Sequence, residues 1–221
     1  MQNQYSRAIA NMQVIYATII DPKRYKDHGR AMIQSFREKQ GDELLVGVNQ
    51  RMLFNEKNTF FFDMTEYPAY RSWNRVYKRA LEGGIKDKEK VFDLKCSKST
   101  ALISIISKTP RKNLDYVVWV DCESIFNNRI DSKIIEEICG DYDSVSVLNS
   151  NGPMSFIIYN FRTGGKQFAR THAEFYTSEE FKGQKYWDTI FTFNQVNGYH
   201  TKSVTKSPID NLLSYSPTAL S

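Results

Sequence analysis

A strand–helix–strand pattern within the first fifty residues restricts the fold more than any other feature of the chain. Residues 14–20 are a run of apolar and β-branched residues that ends at Asp21-Pro22. Apolar residues then recur at helical spacing over about 25–39, and residues 44–48 form a second apolar run. Two strands joined by one helix over so short a stretch are parallel neighbours with a right-handed crossover. The pattern therefore predicts an α/β fold built on a parallel sheet.

The rest of the chain alternates strand-like and helical segments in the same way. Residues 116–120 are apolar on both faces, as expected of a central strand in a parallel sheet. Further strands are predicted at 60–62, 145–148 and 156–159. Helices are predicted at 68–81, 99–107, 165–177 and 187–196, with another that Asp131 caps and Gly140 ends. We expect a flexible N-terminus over 1–11, a single domain over 12–202, and a C-terminal tail over 203–221.

Composition narrows the class of protein without fixing its function. The 221 residues carry 30 Lys and Arg against 25 Asp and Glu, and the net charge of +5 favours an anionic ligand such as a nucleotide, a nucleic acid or an acidic glycan. Three cysteines without CxxC spacing predict neither a disulfide framework nor a zinc site, and they fit a reducing cytosol. No apolar run approaches the roughly 20 residues of a membrane span, and the N-terminus lacks the features of a signal peptide. We expect a soluble, cytoplasmic protein.

Two carboxylates follow the predicted central strand directly. Asp121 and Glu123 are two residues apart, at the end of a strand where ligands bind in open α/β sheets. Side chains at this spacing on an extended chain point to the same side. They repel each other unless a cation lies between them, and hard oxygen ligands suit Mg²⁺ or Mn²⁺. Such a metal would hold a diphosphate and neutralise its charge as it leaves. The alternative is a polar loop after a strand, where acidic residues are common.

The segment from Val118 to Glu123 resembles the DxD motif of glycosyltransferases with the GT-A fold, with Glu in place of the second Asp. Residues 17–25, 155–160, 174–178 and 186–188 are similar to segments of small bacterial and phage members of that group, in the same order. The likeness covers roughly residues 12–197. It implies a GT-A-like, Rossmann-like fold with a mostly parallel sheet flanked by helices. It also implies transfer of a sugar from a nucleoside-diphosphate donor, with Asp121 and Glu123 binding Mn²⁺ or Mg²⁺.

The resemblance assigns roles to further residues. Thr18 and Asp21, at the end of the first strand, would lie against the base and ribose of the nucleotide. Ser155 and Asn160 would flank the donor sugar. Asp188 would be the general base that takes the proton of the acceptor hydroxyl. The alternative for Asp188 is an ordinary helix N-cap, which Asp also favours.

Three basic or metal-binding side chains complete the predicted site. His200 is the late histidine that would serve as a third metal ligand, as in many metal-dependent GT-A enzymes, although its surroundings differ from their pattern. Lys95 and Lys98 precede the helix of 99–107, where they would reach phosphates with help from the helix dipole. The alternative for both lysines is an ordinary solvated side chain.

A basic and aromatic helix bears on the acceptor. On the predicted helix of 68–81, one face carries Arg71, Arg75, Lys78 and Arg79, and another carries Tyr70, Trp73 and Tyr77. Such a pattern suits phosphate backbones and stacked bases, but it is also that of a helix with an aromatic core face and a solvated charged face. Because some phage glycosyltransferases modify hydroxymethylated bases in DNA, the resemblance implies either a glycan or a hydroxymethylated DNA base as the acceptor.

Two other functions remain open. The first is a non-catalytic nucleic-acid-binding module that uses the basic helix. The second is a sugar nucleotidyltransferase, which would need a glycine-rich phosphate loop after the first strand, and residues 21–24 contain no glycine.

Overall fold

The computed structural model describes residues 12–21, 24–48, 58–68, 70–71, 74–75, 78, 101–109, 113–147, 156–175, 198–204 and 211–215. The strands are β1 (Gln13–Ile20), β2 (Glu43–Val48), β3 (Thr59–Asp63), β4 (Leu114–Val120), β5 (Ser124–Phe126), β6 (Ser144–Val147), β7 (Phe156–Asn160), β8 (Thr201–Val204) and β9 (Leu213–Tyr215). A π-helical turn (Tyr25–Gly29) leads into α1 (Arg30–Lys39), and it is followed along the chain by a 3₁₀ turn (Met64–Glu66), α2 (101–108), α3 (Ser132–Cys139) and α4 (Gly165–Phe175).

Seven strands form the main sheet in the order β3-β2-β1-β4-β7-β6-β8. β1 to β4 are parallel to one another, and β6 is parallel to β8. β7 runs antiparallel to both of its neighbours, β4 and β6. The predicted α/β architecture with a mostly parallel sheet flanked by helices is confirmed. The reversed direction of β7 was not predicted.

Helices cover both faces of this sheet. Along β1, Tyr16 and Ile20 face the side that holds α1 and α3, whereas Ala17 and Ile19 face the side that holds α2 and α4. Strands buried on both faces must be apolar throughout, which explains why the central strands read as continuous apolar runs. Phe36 of α1 illustrates the packing, because it is fully buried against the sheet.

Local capping follows the sequence closely in α3. The Asp131 side chain accepts a hydrogen bond from the backbone N–H of Ile134 at 3.0 Å, which satisfies one of the free donors of the first turn. Gly140 ends the helix at a φ of 52°, a conformation that other residues adopt only with strain. Both predictions for this helix are confirmed. The helix predicted over 68–81 also agrees at the described positions 68, 70, 71, 74, 75 and 78.

The strand directions give the sheet two distinct edges. We define the upper edge as the line of strand ends at Ile20, Val48, Val120 and Phe156. We define the lower edge as the opposite line, at Tyr116, Ser144, Asn160 and Thr201. The register supports this division, because Val120 pairs with Phe156, Tyr116 pairs with Asn160, and Ser144 pairs with Thr201. Because β7 is reversed, its amino end lies at the upper edge and its carboxyl end at the lower edge.

The carboxyl-terminal part of the chain contributes to both sheets. β8 includes residues on both sides of the boundary that we placed at 202, and it extends the main sheet beside β6. β9 pairs with β5 in a separate two-stranded sheet, with Phe126 opposite Leu213. The N-terminal segment 1–11 lies outside the described residues. Among the residues that are described, no helix has the length and apolar character needed to cross a membrane.

Candidate functional site

Two acidic residues leave the sheet side by side at the upper edge. Asp21 follows β1 directly, and Asp121 follows β4 directly. β1 and β4 are parallel neighbours, with Ala17 opposite Trp119, so their carboxyl ends emerge together. From β1 the chain continues to β2 and β3 on one side, while β4 lies on the other. A ligand crevice in an open α/β sheet forms at this kind of switch point, outside the carboxyl ends of the strands.

A tight turn holds the acidic pair that follows β4. The Asp121 carboxylate accepts a hydrogen bond from the backbone N–H of Glu123 at 3.1 Å, and the backbone N–H of Ser124 donates to the Asp121 carbonyl at 3.0 Å. The extended spacing that we assumed for these two residues therefore ends at Val120, and a turn takes its place. Glu123 is only 7% exposed, whereas Asp121 is half-buried.

Arg24 lies between these acidic residues, and the sequence analysis missed it. Its Nε is 3.6 Å from Oδ2 of Asp21, and its Nη1 is 3.7 Å from Oε1 of Glu123. The backbone N–H of Arg24 also donates to Oδ1 of Asp21 at 2.9 Å. The spacing of three residues between Asp21 and Arg24, on a turn that enters a helix, was the available signal. We call Asp21, Asp121 and Glu123, together with Arg24, the carboxylate cluster.

The electrostatics of the carboxylate cluster favour a further positive charge. Burial acts to lower the pKa of Arg24, but the neighbouring Cys122, Asp121 and Glu123 outweigh it, and the pKa is raised. Taken alone, the four described side chains of the carboxylate cluster sum to a formal charge of −2. A divalent cation would neutralise that charge, because the attraction between opposite charges is strong where water is partly excluded.

Cys122, between the two carboxylates, is a spacer without nucleophilic character. Its side chain is buried on the α1 side of the sheet. Burial, and then the charge of Asp121, raise the pKa of the Cys122 thiol to about 12. The thiol is therefore protonated at neutral pH, and the thiolate is the reactive form of cysteine.

The oxygen ligands at this edge fit Mg²⁺ or Mn²⁺ bound together with a phosphate. These ions are held by one or two protein carboxylates and complete their coordination with water and substrate phosphates. Over the described ranges, no group of three or more His, Cys, Asp or Glu side chains could hold a metal by itself. Asp121 and Glu123 would thus supply a partial set. Next to them, the buried hydroxyl of Ser124 makes no hydrogen bond among the described residues.

The two predicted nucleotide-binding residues of β1 have different positions. Asp21 belongs to the carboxylate cluster and is partly exposed at the upper edge. Thr18 lies within the sheet, is fully buried, and its hydroxyl makes no hydrogen bond among the described residues. The structure therefore places Asp21, but not Thr18, where a ligand at the upper edge could touch it.

Asn160 and His200 lie at the lower edge, away from the carboxylate cluster. Asn160 is 2% exposed and donates through Nδ2 to the carbonyl of Gly140 at 3.2 Å. His200 immediately precedes β8, and its backbone N–H donates to Oδ2 of Asp143 at 2.9 Å. Four residue steps along a strand separate the two edges by roughly 13 Å. The structure therefore does not bring either residue to Asp121 and Glu123. Asn160 ends β7, and the reversed direction of β7 puts that end at the lower edge. His200 precedes β8, which begins at the lower edge beside Ser144.

The remaining predicted site residues, Lys95, Lys98, Ser155 and Asp188, lie outside the described residues. Ser155 directly precedes Phe156, whose strand partner is Val120 at the upper edge. Their assigned roles stay predictions.

The lower edge has its own polar groups and a cavity of about 240 Å³. Arg162, which lines it, donates through Nη1 to Oε1 of Glu136 at 2.8 Å. This bond is the main reason that the pKa of Arg162 is raised. Asp143, in the same region, accepts hydrogen bonds from the backbone N–H groups of Gly164 at 2.6 Å and His200 at 2.9 Å. These polar groups hold loops together.

The basic helix presents its described cations to solvent. Arg71, Arg75 and Lys78 are exposed, whereas Tyr70 is buried in the core beside α2. Arg71 also donates through Nη1 to the carbonyl of Thr65 at 3.0 Å. The side chains of Trp73, Tyr77 and Arg79 lie outside the described part of the chain. The described residues thus agree with both interpretations of this helix.

Comparison with known proteins adds no assignment. No model of a known protein family matches the chain, and no curated protein matches it.

Proposed function

We propose that the protein is a metal-dependent glycosyltransferase of the GT-A type, which moves a sugar from a nucleoside-diphosphate donor to an acceptor hydroxyl. The observation that carries the proposal is the carboxylate cluster at the switch point between β1 and β4. It joins acidic residues from two strand ends, in the position where open α/β sheets bind nucleotides. The resemblance of 118–123 to the DxD motif supports the same function.

In this proposal Asp121 and Glu123 would hold Mg²⁺ or Mn²⁺ together with the diphosphate of the donor. When bound, the metal supplies charge neutralisation to the leaving nucleoside diphosphate. The turn at 121–124 fixes the two carboxylates before the donor arrives, so little ordering remains for the binding step. Asp21 would contact the nucleoside portion, and Asp188 is proposed as the general base that activates the acceptor hydroxyl.

The test compares two variants with the same chemical change at opposite edges. Asp121→Asn removes a charge from the carboxylate cluster, whereas Asp141→Asn removes one from an exposed residue at the lower edge. A thermal-shift screen of nucleoside diphosphates and nucleotide sugars, with and without Mn²⁺, identifies the donor. We expect Asp121→Asn to abolish Mn²⁺-dependent stabilisation by the donor and to lower donor hydrolysis or transfer roughly a hundredfold or more.

Asp141→Asn should behave as the unmodified protein in both measurements. Full Mn²⁺-dependent turnover by Asp121→Asn, with its fold intact by circular dichroism, would refute the metal role of the carboxylate cluster and with it the proposed function.

A second candidate function is the binding of nucleic acid through the basic helix. The exposed Arg71, Arg75 and Lys78 recur at helical spacing, as required to follow one phosphate backbone. This function predicts duplex DNA binding that weakens steeply with salt and is unchanged in Asp121→Asn. If Arg75→Gln with Lys78→Gln lowers DNA binding but leaves donor hydrolysis intact, DNA is the acceptor or partner of the same protein.

A further inference from the structure

Among the described residues, Arg24 is the cation that forms ion pairs within the carboxylate cluster, and its distances to Asp21 and Glu123 are long. The two N–O distances of 3.6 and 3.7 Å exceed the roughly 2.8 Å of a charge-assisted hydrogen bond. At the lower edge, Arg162 and Glu136 reach 2.8 Å. The Arg24 guanidinium is therefore shared among Asp21, Glu123 and the buried Cys122 side chain, to which it also hydrogen-bonds, and neither carboxylate holds it at the short distance.

The two carboxylates that pair with Arg24 differ in their exposure and in their other hydrogen bonds. The Glu123 side chain is 8% exposed, so its charge is costly to leave without compensation, whereas the Arg24 side chain is 35% exposed. Asp21 is anchored separately, because its Oδ1 accepts the backbone N–H of Arg24. The guanidinium, which is more exposed than the side chains of Asp21 and Glu123, is thus the group that would turn towards solvent, giving up its hydrogen bond to Cys122 while the carboxylates stay in place.

A divalent cation and the guanidinium compete for the same carboxylate oxygens. Both are positive, so a metal held by Asp121 and Glu123 repels Arg24 from Glu123. Once it has left Glu123, the guanidinium can donate two parallel N–H hydrogen bonds. Its planar shape matches the spacing of two phosphate oxygens. The diphosphate that the metal carries would lie next to it.

We propose that Arg24 exchanges partners: it neutralises Glu123 in the metal-free protein and binds the phosphates of the donor once the metal is in place. This inference rests on the proposed function, and it adds to it a residue that couples the two ligands. The exchange makes Arg24 oppose metal binding alone and favour binding of metal and diphosphate together. Metal and diphosphate therefore raise each other's affinity.

The test measures two affinities in Arg24→Gln by isothermal titration calorimetry. The first is the affinity for Mn²⁺ alone, which should rise about tenfold because the competing charge is gone. The second is the affinity for inorganic pyrophosphate at constant Mn²⁺, which should fall about tenfold because the phosphate ligand is gone. Opposite signs for the two changes distinguish partner exchange from a general loss of structure.

Two further variants control for charge and for folding. Arg37→Gln makes the same change near the end of α1, far from the carboxylate cluster, and should leave both affinities unchanged. Arg24→Lys keeps the charge and should restore Mn²⁺ affinity to the original value while it recovers only part of the pyrophosphate affinity, since Lys has no planar fork. If Arg24→Gln does not fold, the contrast between Arg24→Lys and the original protein in pyrophosphate affinity decides the question.

The outcomes separate this inference from the proposed function. If the original protein binds Mn²⁺ and Asp121→Asn does not, the metal site stands. Unchanged affinities in Arg24→Gln, or changes of the same sign, then overturn the role of Arg24 alone. If neither the original protein nor Arg24→Gln binds Mn²⁺, both the inference and the proposed function fail.

Discussion

The two edges of the main sheet use the same kinds of side chain in different ways. At the lower edge, Arg162 bonds Glu136 at 2.8 Å, and both carboxylate oxygens of Asp143 accept backbone N–H groups. At the upper edge, Arg24 is spread over two carboxylates at 3.6 and 3.7 Å. The lower edge pairs its described charges at short distances, whereas the described charges of the upper edge share one guanidinium at longer distances. The raised pKa of Arg24, beside a strand-end crevice, is the kind of perturbation that is common at functional sites.

The largest expected change in stability is at Gly165, where α4 begins at the lower edge. A Cβ here would lie closer than 3 Å to backbone atoms of Asp143 and Asn160, which cannot move aside as a side chain can. We expect Gly165→Ala to lower the free energy of unfolding by about 4 kcal/mol, measured by urea denaturation. Gly41→Ala is the matched control, because a Cβ there meets nothing within 4 Å, and its change should stay within about 0.5 kcal/mol. Equal effects of the two changes would contradict the close packing of the lower edge.

The next test is the pH dependence contributed by α4. Burial lowers the pKa of His172 to about 3, against an ordinary value of 6.5. Between these pH values the unfolded chain binds the additional proton, so the stability that His172 contributes is present at pH 7 and is lost as the pH falls. The expected loss from pH 7 to pH 4.5 is about 2.5 kcal/mol.

His172→Gln should remove that part of the pH dependence, measured as the change in free energy of unfolding between the two pH values. His200→Gln is the control, since His200 is exposed. An unchanged pH dependence in His172→Gln would show that other groups cause the loss of stability at low pH, and it would contradict the burial of His172.

The smallest expected changes in stability come from the same substitution, Asp to Asn, made once at each edge. Because the chemical change is identical, the two results can be compared directly. Asp143→Asn places an NH₂ group against an N–H donor, since both oxygens of Asp143 are acceptors, and should cost about 2 kcal/mol. Asp121→Asn keeps its carbonyl oxygen for the N–H of Glu123, and the repulsion that it relieves from Glu123 offsets the attraction to Arg24 that it loses, so its free energy of unfolding should change by less than about 0.5 kcal/mol. Urea denaturation without added metal measures both. A larger loss in Asp121→Asn than in Asp143→Asn would reverse our assignment of the two edges.

Much of the fold was predictable because burial on both faces leaves a plain signal. The apolar runs of β1, β2 and β4 and the helical stripe of α1 follow from contact with the core, and the cap at Asp131 follows from its hydrogen bond to Ile134. The direction of β7 was not predictable, since a strand buried on both faces has the same pattern in either direction. The short strands β5, β8 and β9 carry too few apolar residues to stand out from loops.

The same limits apply to the site. Asp21 and Asp121 were predictable as neighbours because they end two parallel strands. Asn160 was grouped with them from its place in a resembling segment, and the reversal of β7 puts it at the other edge. Arg24 was missed because its role depends on contact with Glu123, almost a hundred residues away, and no local pattern records such a pair.

The reversal of β7 also determines where the protein can vary without harm to its framework. Val147 and Phe156 pair with each other at the upper edge, so residues 148–155 connect two strands that begin and end beside the carboxylate cluster. Insertions or deletions between Val147 and Phe156 need not disturb the sheet, because the pairings of β6 with β7 and of β7 with β4 lie within the strands. If the proposed function holds, libraries in this connection can test for altered donor or acceptor preference while the sheet is kept.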